Sequence, residues 1–176
     1  ITAEDSKIVT TKDFGTLEIA VKDIGKWTPS KEVTLSGNTN DYQIEYRIKK
    51  YNFETNEEEF SDDFITYSTP FILDSKATKE HPITVYARFN DGYNVTEEQT
   101  MKITMIDTDP PKLKLGSLTR TTTSVTILFE ATDIESGISE TTCVYGTSTS
   151  YGQTGVVNGN TCTLNGLTEG VKYYYK

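Results

Sequence analysis

A pair of consecutive prolines in the segment Ile106-Asp-Thr-Asp-Pro-Pro111 divides the chain. Two prolines remove two backbone donors and impose extended geometry, so no central strand can pass through this segment. Gln99-Thr-Met-Lys-Ile-Thr-Met-Ile106 alternates like a last strand, and Lys112-Leu-Lys-Leu115 alternates like a first one. We therefore predict a domain junction. This junction separates two domains, residues 14–109 and residues 110–176. We interpret residues 1–13 separately, as a linker or the tail of a preceding module.

The composition favours an all-β fold. Threonine is abundant and the chain has 11 tyrosines, and both residue types suit a pleated, half-buried surface. No long segment repeats its apolar residues at helical spacing. Only 35% of the residues are hydrophobic, which is low for one large core. Two β-sandwiches tolerate this fraction, because every second residue of their strands faces water.

The first domain contains short alternating runs at the spacing typical of a sandwich. One of them places Tyr42, Ile44, Tyr46 and Ile48 on a single face. We expect residues 49–63 to form a long hairpin loop, because adjacent glutamates at positions 57–59 would repel each other on a strand. An Asp-Gly pair supplies a tight hairpin turn after the last run. The predicted strands are Thr16–Val21, Lys31–Leu35, Asp41–Ile48, Phe64–Tyr67, Phe71–Leu73 and Ile83–Phe89, the last followed by Asn90-Asp91-Gly92.

Two motifs in this domain resemble bacterial immunoglobulin-like surface domains. They are Tyr42-Gln-Ile-Glu-Tyr46 and Thr84-Val-Tyr-Ala-Arg-Phe-Asn-Asp-Gly92, and the Asp-Pro-Pro junction follows them. The resemblance is loose and covers roughly residues 14–109. It implies an immunoglobulin-like sandwich in a surface or secreted protein.

The second domain resembles fibronectin type III domains over roughly residues 112–176. Ser124-Val-Thr-Ile-Leu-Phe129 matches the second strand of that family, with Phe129 in the place usually held by a core tryptophan. Asp133-Ile-Glu-Ser-Gly-Ile138 is similar to the loop that follows. Leu167-Thr-Glu-Gly-Val-Lys-Tyr173 is similar to the corner between the family's fifth and sixth strands, although Glu169 and Val171 replace the usual proline and threonine.

This resemblance implies that Tyr173 is the tyrosine of that corner, whose hydroxyl bonds to backbone upstream. Alternation then directs Tyr175 inward with Tyr173 and leaves Tyr174 on the outer face. It also implies one more strand after Tyr175, so we expect the second sandwich to lack its last strand. An open edge beside Tyr173–Tyr175 would then be available to a neighbouring molecule.

Six residues are candidates for a disulfide or a metal site. Cys143 and Cys162 are the only cysteines, and strand parity places Cys162 on the face of Leu164. The pair forms either a disulfide, which an external compartment permits and which contributes ~3 kcal/mol, or two buried thiols. Calcium needs ~6–8 oxygen ligands, and junction acids can stiffen tandem modules. The weak calcium candidates, for which solvated carboxylates are the alternative, are Asp107, Asp109, Asp133 and Glu135.

The chain has no recognisable set of catalytic residues. Its one histidine, His81, has no second imidazole or cysteine at metal-ligand spacing, and we assign it a surface role. Asp62 and Asp63 are adjacent and would point to opposite faces of a strand, which suits one active site poorly. We predict neither enzymatic activity nor a cofactor. Aromatic residues in or near loops offer a surface for stacking on sugars or a protein, with Trp27 favoured instead as a core residue; they are Trp27, Tyr51, Phe53, Tyr93 and Tyr151.

Charge and hydropathy restrict the partners. The chain has 26 acidic and 17 basic residues, and 21 of the acidic and 12 of the basic residues lie in residues 1–109. That part therefore carries the whole net charge of −9. An acidic surface repels phosphate backbones, and no nucleic acid is expected as a partner. No stretch approaches the ~20 apolar residues needed to span a bilayer, so no membrane insertion is expected. The N-terminus lacks the features of a signal peptide, and we interpret it as the interior of a longer protein.

These features favour a non-catalytic, extracellular tandem module of a bacterial surface or secreted protein. It would act as a spacer or as an adhesion or binding module, with an unidentified protein or glycan as its ligand. The alternative is a carbohydrate-binding accessory module of a secreted glycoside hydrolase. Both functions place the chain outside the cell.

Overall fold

The computed structural model describes residues 14–37, 42–61 and 63–176. The chain divides into two compact units, Ile1–Thr108 and Asp109–Lys176. Regular structure in the described residues consists of strands alone, and all pairs of named strands are antiparallel, which confirms the predicted all-β fold. Within them there is no helix with the length and apolarity to cross a lipid bilayer. The predicted linker 1–13, Asp41 and Asp62 lie outside the described residues.

The first unit is a sandwich of two sheets. One has the order β1-β2-β6 and the other the order β4-β3-β7-β8, with β5 paired to β3. The strands are β1 (Glu18–Val21), β2 (Lys31–Ser36), β3 (Gln43–Asn52), β4 (Glu57–Phe60), β5 (Ile65–Thr66), β6 (Phe71–Leu73), β7 (Ile83–Asn90) and β8 (Gln99–Ile103).

Strict alternation along β3 and β7 builds the core of this unit. In β7, every second residue from Ile83 to Phe89 is buried. Tyr42, which precedes β3, and Ile44 within it are buried, and Tyr46 and Ile48 on the same face pack against the core, as the sequence predicts. The antiparallel register aligns Ile44 with Phe89. Side chains of the opposite parity therefore form the outer face of this sheet.

The prediction of a long loop over residues 49–63 is wrong, because β3 continues to Asn52 and Glu57–Phe60 forms β4. The glutamates do not repel each other in one row, since neighbouring residues of a strand face opposite sides and each side offers a partner. Glu58 forms an ion pair with Lys49, and this hydrogen bond raises the pKa of the Lys49 ammonium. Glu59 accepts a hydrogen bond of 2.8 Å from the Asn52 amide.

The predicted Asp-Gly turn after β7 forms, but the connection to β8 is longer than a tight hairpin. The Asp91 carboxylate accepts hydrogen bonds from the backbone N–H groups of Tyr93 and Asn94, and Gly92 has a φ of 87°. A bridge between Asn90 and Val95 closes this tip. An irregular stretch then leads to Gln99, where β8 begins.

Lys31, at the start of β2, is a buried cation that organises the loop after β1. Its side chain is among the most buried of the unit, with 2% of the residue exposed. Its ammonium donates 2.8 Å hydrogen bonds to the carbonyls of Asp23 and Lys26, and a 3.3 Å bond to the Thr28 hydroxyl. Desolvation lowers the pKa of Lys31, and the nearby Asp23 carboxylate opposes this shift.

The second unit is also built from two antiparallel sheets. The larger has the order β13-β14-β10-β9, and the smaller the order β12-β11-β15. The strands are β9 (Lys112–Arg120), β10 (Ser124–Thr132), β11 (Val144–Gly146), β12 (Gln153–Thr154), β13 (Val156–Asn158), β14 (Thr161–Asn165) and β15 (Tyr174–Tyr175).

The core of the second unit is small. Its buried members are Ile127, Phe129, Cys143, Tyr145, Cys162 and Leu164, so Phe129 fills the core as expected from the sequence. Every residue of β9 is exposed, including its three leucines. A small core with an exposed edge strand gives this unit less hydrophobic stabilisation than the first, so other links between its sheets become important.

Candidate functional site

Three side chains of the first unit form an aromatic cluster, namely Tyr51, Phe53 and His81. The imidazole of His81 stacks on the phenol ring of Tyr51, with 3.8 Å between ring centroids and 18° between planes. Phe53 meets both rings edge-on, at centroid distances of 5.1 Å and 5.6 Å. The Lys76 ammonium lies 5.5 Å from the Phe53 ring centroid.

Two local turns bring these rings together. The β3–β4 hairpin projects Tyr51 and Phe53, because the Asn52 side-chain carbonyl accepts hydrogen bonds from the backbone N–H groups of Glu54 and Thr55. The second turn precedes β7. There, His81 donates its backbone N–H to the Thr78 hydroxyl and accepts a hydrogen bond from the Thr78 N–H. His81 is thus placed beside the end of β3, the neighbour of β7 in the sheet.

The chemistry that the aromatic cluster offers is stacking. Phe53 is 41% exposed, and Tyr51 and His81 are half-buried, so the cluster presents apolar ring surface to solvent. Aromatic rings at a surface bind flat apolar faces and cations. The surface role assigned to His81 is therefore to stack on Tyr51 beside Phe53. The sequence did not reveal this contact, because the two partner rings are 30 and 28 positions away.

The outer face of the same sheet is occupied by its own side chains. The Arg47 guanidinium pairs with Glu98 at 3.0 Å and lies 4.6 Å and 4.7 Å from the ring centroids of Phe60 and Phe64. Arg88 lies 3.7 Å from the Phe64 centroid and pairs with Glu45 at 2.9 Å. These guanidinium groups and rings already contact one another. The aromatic cluster at the end of the sheet is therefore the better surface for a ligand.

The other candidate aromatics are dispersed. Tyr93 is 95% exposed at the tip of the β7–β8 connection. Tyr151 lies in a loop of the second unit with a φ of 49°. Trp27, favoured as a core residue, is half-buried in the loop after β1 and is not among the described residues that pack against the first core. The aromatic rings of the core come instead from Phe14, Tyr42, Tyr46 and other residues in or near the strands.

A disulfide joins Cys143 and Cys162 in the second unit. Cys162 belongs to β14 in the larger sheet, and Cys143 immediately precedes β11 in the smaller one, so the bridge ties the two sheets together. Gly155 lies directly over the bridge. A Cβ at this position would lie 2.7 Å from the Cys162 sulfur and 3.1 Å from the Cys143 sulfur.

Two tyrosine hydroxyls form hydrogen bonds to the backbone of the corner between β14 and β15. Tyr173 accepts a hydrogen bond of 3.2 Å from the backbone N–H of Thr168, five residues upstream. Tyr145 donates to the carbonyl of Asn165 and packs against Tyr173, with 6.3 Å between ring centroids. Tyr175 faces the same side as Tyr173, as expected, because it lines a cleft with Tyr173 and a groove with Phe129 and the disulfide, but its cover is incomplete and it is 38% exposed. The short sheet covers the core only as far as β15, and Tyr175 lies at that margin.

The calcium candidates lie in different units. Asp107 belongs to the first unit, where it is buried and its backbone N–H donates to the Thr28 carbonyl. Asp109, Asp133 and Glu135 belong to the second unit. One carboxylate oxygen of Asp133 accepts hydrogen bonds from the backbone N–H groups of Ser136 and Gly137 and so orders its own loop. Calcium binding by these four residues stays a prediction.

No protein-family model matches the chain, and no curated protein matches it at a significant level.

Proposed function

We propose that the chain is a non-catalytic, extracellular tandem module of a bacterial surface or secreted protein, where it acts as a spacer or binding module. The observation that supports this most is the disulfide of the second unit, which joins the sheets of a sandwich with a small core. Structural disulfides persist in oxidising compartments and are rare in the cytosol. The immunoglobulin-like and fibronectin-like sequence patterns agree with this role.

Two sandwich units in series, each with its own core, suit a spacer. A β-sandwich exposes one face of each sheet, so its outer surfaces can vary without loss of the core. The acidic first unit favours solubility at a cell surface.

Export into an oxidising compartment tests this proposal. The protein would be produced with a secretion leader in a bacterial periplasm and, separately, in a reducing cytosol. We expect mass spectrometry of the exported form to show the 143–162 bridge, and thermal unfolding to show a less stable second unit in the cytosolic form. Free thiols in the exported form, or equal stability of the two forms, would contradict an extracellular role.

The aromatic cluster supports a second candidate function, that of a carbohydrate-binding accessory module. Exposed rings stack on the apolar faces of sugars, and Phe53 is exposed beside Tyr51 and His81. A glycan array probed with the wild-type chain and with Phe53→Ala would test it. Tyr93→Ala is the matched control, because Tyr93 is an exposed aromatic outside the cluster. Reproducible binding that Phe53→Ala abolishes and Tyr93→Ala preserves would favour this function over a spacer.

A further inference from the structure

We propose that the last paired segment of the first unit, residues 105–107, holds this unit closed against force that is transmitted along the chain. We call this segment, together with Thr28 and Ala77, the exit clasp. The inference rests on the proposed role as a spacer and adds a mechanical property to it. Three features support it, namely backbone hydrogen bonds on both sides of Ile106, complete burial, and an ordered loop that receives the segment.

The segment is hydrogen-bonded on both of its sides. On one side, Ile106 and Ala77 exchange two backbone hydrogen bonds, of 2.9 Å and 3.1 Å. On the other side, Thr28 donates its N–H to the Met105 carbonyl at 3.2 Å and accepts from the Asp107 N–H at 3.0 Å. A strand at the edge of a sheet peels away from one partner, whereas this segment must leave two partners at once.

The exit clasp ties the two sheets of the first unit together. Thr28 lies in the loop between β1 and β2, and Ala77 follows β6, so both belong to connections of the same sheet. Residues 105–107 follow β8, which belongs to the other sheet. Ile106 and Ala77 are each 0% exposed and are members of the core. Opening the clasp therefore releases one sheet from the other at this point and exposes buried apolar surface to water.

Local structure orders the segment and the loop that receives it. Met105 has a φ of 62°, and such a left-handed conformation at a non-glycine residue persists only where the surrounding contacts determine it. The Lys31 ammonium bonds to two backbone carbonyls of the β1–β2 loop and to the Thr28 hydroxyl. That hydroxyl donates in turn to the Ser30 carbonyl at 2.7 Å. Residues 105–107 therefore bind to a loop that is itself held by a buried cation.

The position of the exit clasp in the chain explains why it would meet force first. Residues 107–111 belong to no strand, so a pull at Thr108 reaches the fold of the first unit at Asp107 and Ile106. We expect the clasp to be broken in the transition state for unfolding under force. A substitution that weakens the clasp should then act almost entirely by speeding unfolding, whereas one in a part that is still folded in the transition state also slows folding.

Single-molecule force spectroscopy of the full chain, held by its two ends at constant force, tests the proposal. The first unit is recognised as the larger of the two unfolding events, because it is the larger unit. Ala77→Pro removes the N–H that donates to the Ile106 carbonyl, and we expect the first unit to unfold about tenfold or more faster. Ile44→Ala is the matched control, because Ile44 pairs with Phe89, at the end of β7 opposite to the end that pairs with β8 at Ile103. For an equal loss of equilibrium stability, measured by chemical denaturation, it should speed unfolding less.

A milder variant keeps the test decisive if Ala77→Pro does not fold. Thr28→Ala removes the hydroxyl that accepts from Lys31 and keeps the backbone bonds of the clasp, so we expect about fivefold faster unfolding under force. Thr34→Ala removes the same atoms from the middle of β2 and should unfold like wild type.

Hydrogen exchange gives a second readout without force. The N–H groups of Ile106 and Ala77 should be protected as strongly as those of β7, although both residues lie outside the named strands. Three results would overturn the proposal, namely faster exchange at Ile106 than in β7, a wild-type unfolding rate for Thr28→Ala, and equal acceleration by Ala77→Pro and Ile44→Ala for the same lost stability. None of these measurements uses export or the disulfide, so the exit clasp and the extracellular role fail separately.

Discussion

At the scale of single residues, one buried and one partly buried polar group of the first unit show how burial and hydrogen bonding set stability. Lys31 is buried with all three of its ammonium donors in use. Tyr46 packs inside the sandwich, where it stacks on Phe71 at a centroid distance of 4.2 Å and meets Tyr67 edge-on. Each group makes a distinct prediction, one for mutation and one for pH.

Replacing Lys31 by methionine should destabilise the first unit by about 2 kcal/mol. The variant keeps the buried apolar stem but removes the Lys31 donor from the Lys26 carbonyl and one of the two donors of the Asp23 carbonyl, which also accepts from the Lys26 N–H, and an unsatisfied acceptor costs ~1–3 kcal/mol. Chemical denaturation measures the change. Lys26→Met is the control, because the Lys26 side chain is 74% exposed and its ion pair with Asp23 lies at the surface. Equal losses in both variants would contradict this account of Lys31.

Tyr46 should make the first unit less stable in alkali. Burial, and to a lesser extent Tyr67, raise the pKa of Tyr46 above its ordinary value of 10.0. The phenol then ionises more readily in the unfolded chain, so the stabilisation is complete below about pH 10 and is lost as pH rises through the folded-state pKa. Lys31 acts in the opposite sense, since its lowered pKa makes stability rise with pH near 10.5.

Tyr46→Phe isolates the tyrosine contribution. The free energy of unfolding should fall less steeply between about pH 9 and 11 in the variant than in wild type. Tyr93→Phe, at an exposed position, should leave the slope unchanged. Parallel pH profiles for wild type and Tyr46→Phe would show that Tyr46 titrates alike in the folded and unfolded states.

At the scale of strands, the sequence predicted those strands whose apolar alternation can be recognised without knowing which strand they pair with. Strict alternation in β7 and along Tyr42–Ile48 identifies buried strands, since one face is apolar whatever it packs against. β4 was missed because its stability comes from Lys49 and Asn52 on the neighbouring strand, and that register is not visible in Glu57–Phe60 itself. The aromatic cluster was missed in part for the same reason, because its third ring comes from another loop.

The turn that leads into β4 makes a prediction at this scale. Asn56 has a φ of 60°, in the left-handed region that glycine and asparagine tolerate best. Asn56→Ala should cost about 1 kcal/mol and reduce hydrogen-exchange protection in β4, whereas Asn56→Gly should cost little. Thr55→Ala, one residue earlier in the same turn, controls for the loss of side-chain atoms. Unchanged hydrogen-exchange protection of β4 in Asn56→Ala would mean that the turn does not limit the stability of β4.

At the scale of the whole molecule, the two units are stabilised differently. Among the residues that the structure describes, the first has a core of twelve buried residues, whereas the second has six, and two of those are the bridged cysteines. The sequence predicts a junction at Pro110 and Pro111, because proline acts on the backbone wherever it stands, and the two compact units divide between Thr108 and Asp109. The exposure of β9 and Tyr175 could not be predicted from the sequence, because it depends on which strands flank them in the folded unit.

Reduction should therefore destabilise only the second unit. A bridge with a sequence separation of 19 residues is expected to contribute ~3 kcal/mol. In calorimetry, reductant or a Cys143→Ala/Cys162→Ala double variant should lower one unfolding transition and leave the other in place. Gly155→Ala should lower the same transition, because the added methyl group meets both sulfurs. Gly152→Ala is its control, since a Cβ there meets no atom within 4 Å. A shift of both transitions would contradict separate stabilisation.

The bridge between the sheets also limits how far the chain can lengthen under tension. Residues 144–161 lie inside the covalent ring, so a pulling force applied at the ends of the chain passes through the sulfurs and does not extend them. The ring withholds about 60 Å of contour length, at ~3.4 Å for each of the residues that it encloses. An oxidised second unit that unfolds under load would thus yield a shorter tether than a reduced one, and the redox state of its surroundings would set the maximum reach of whatever it connects.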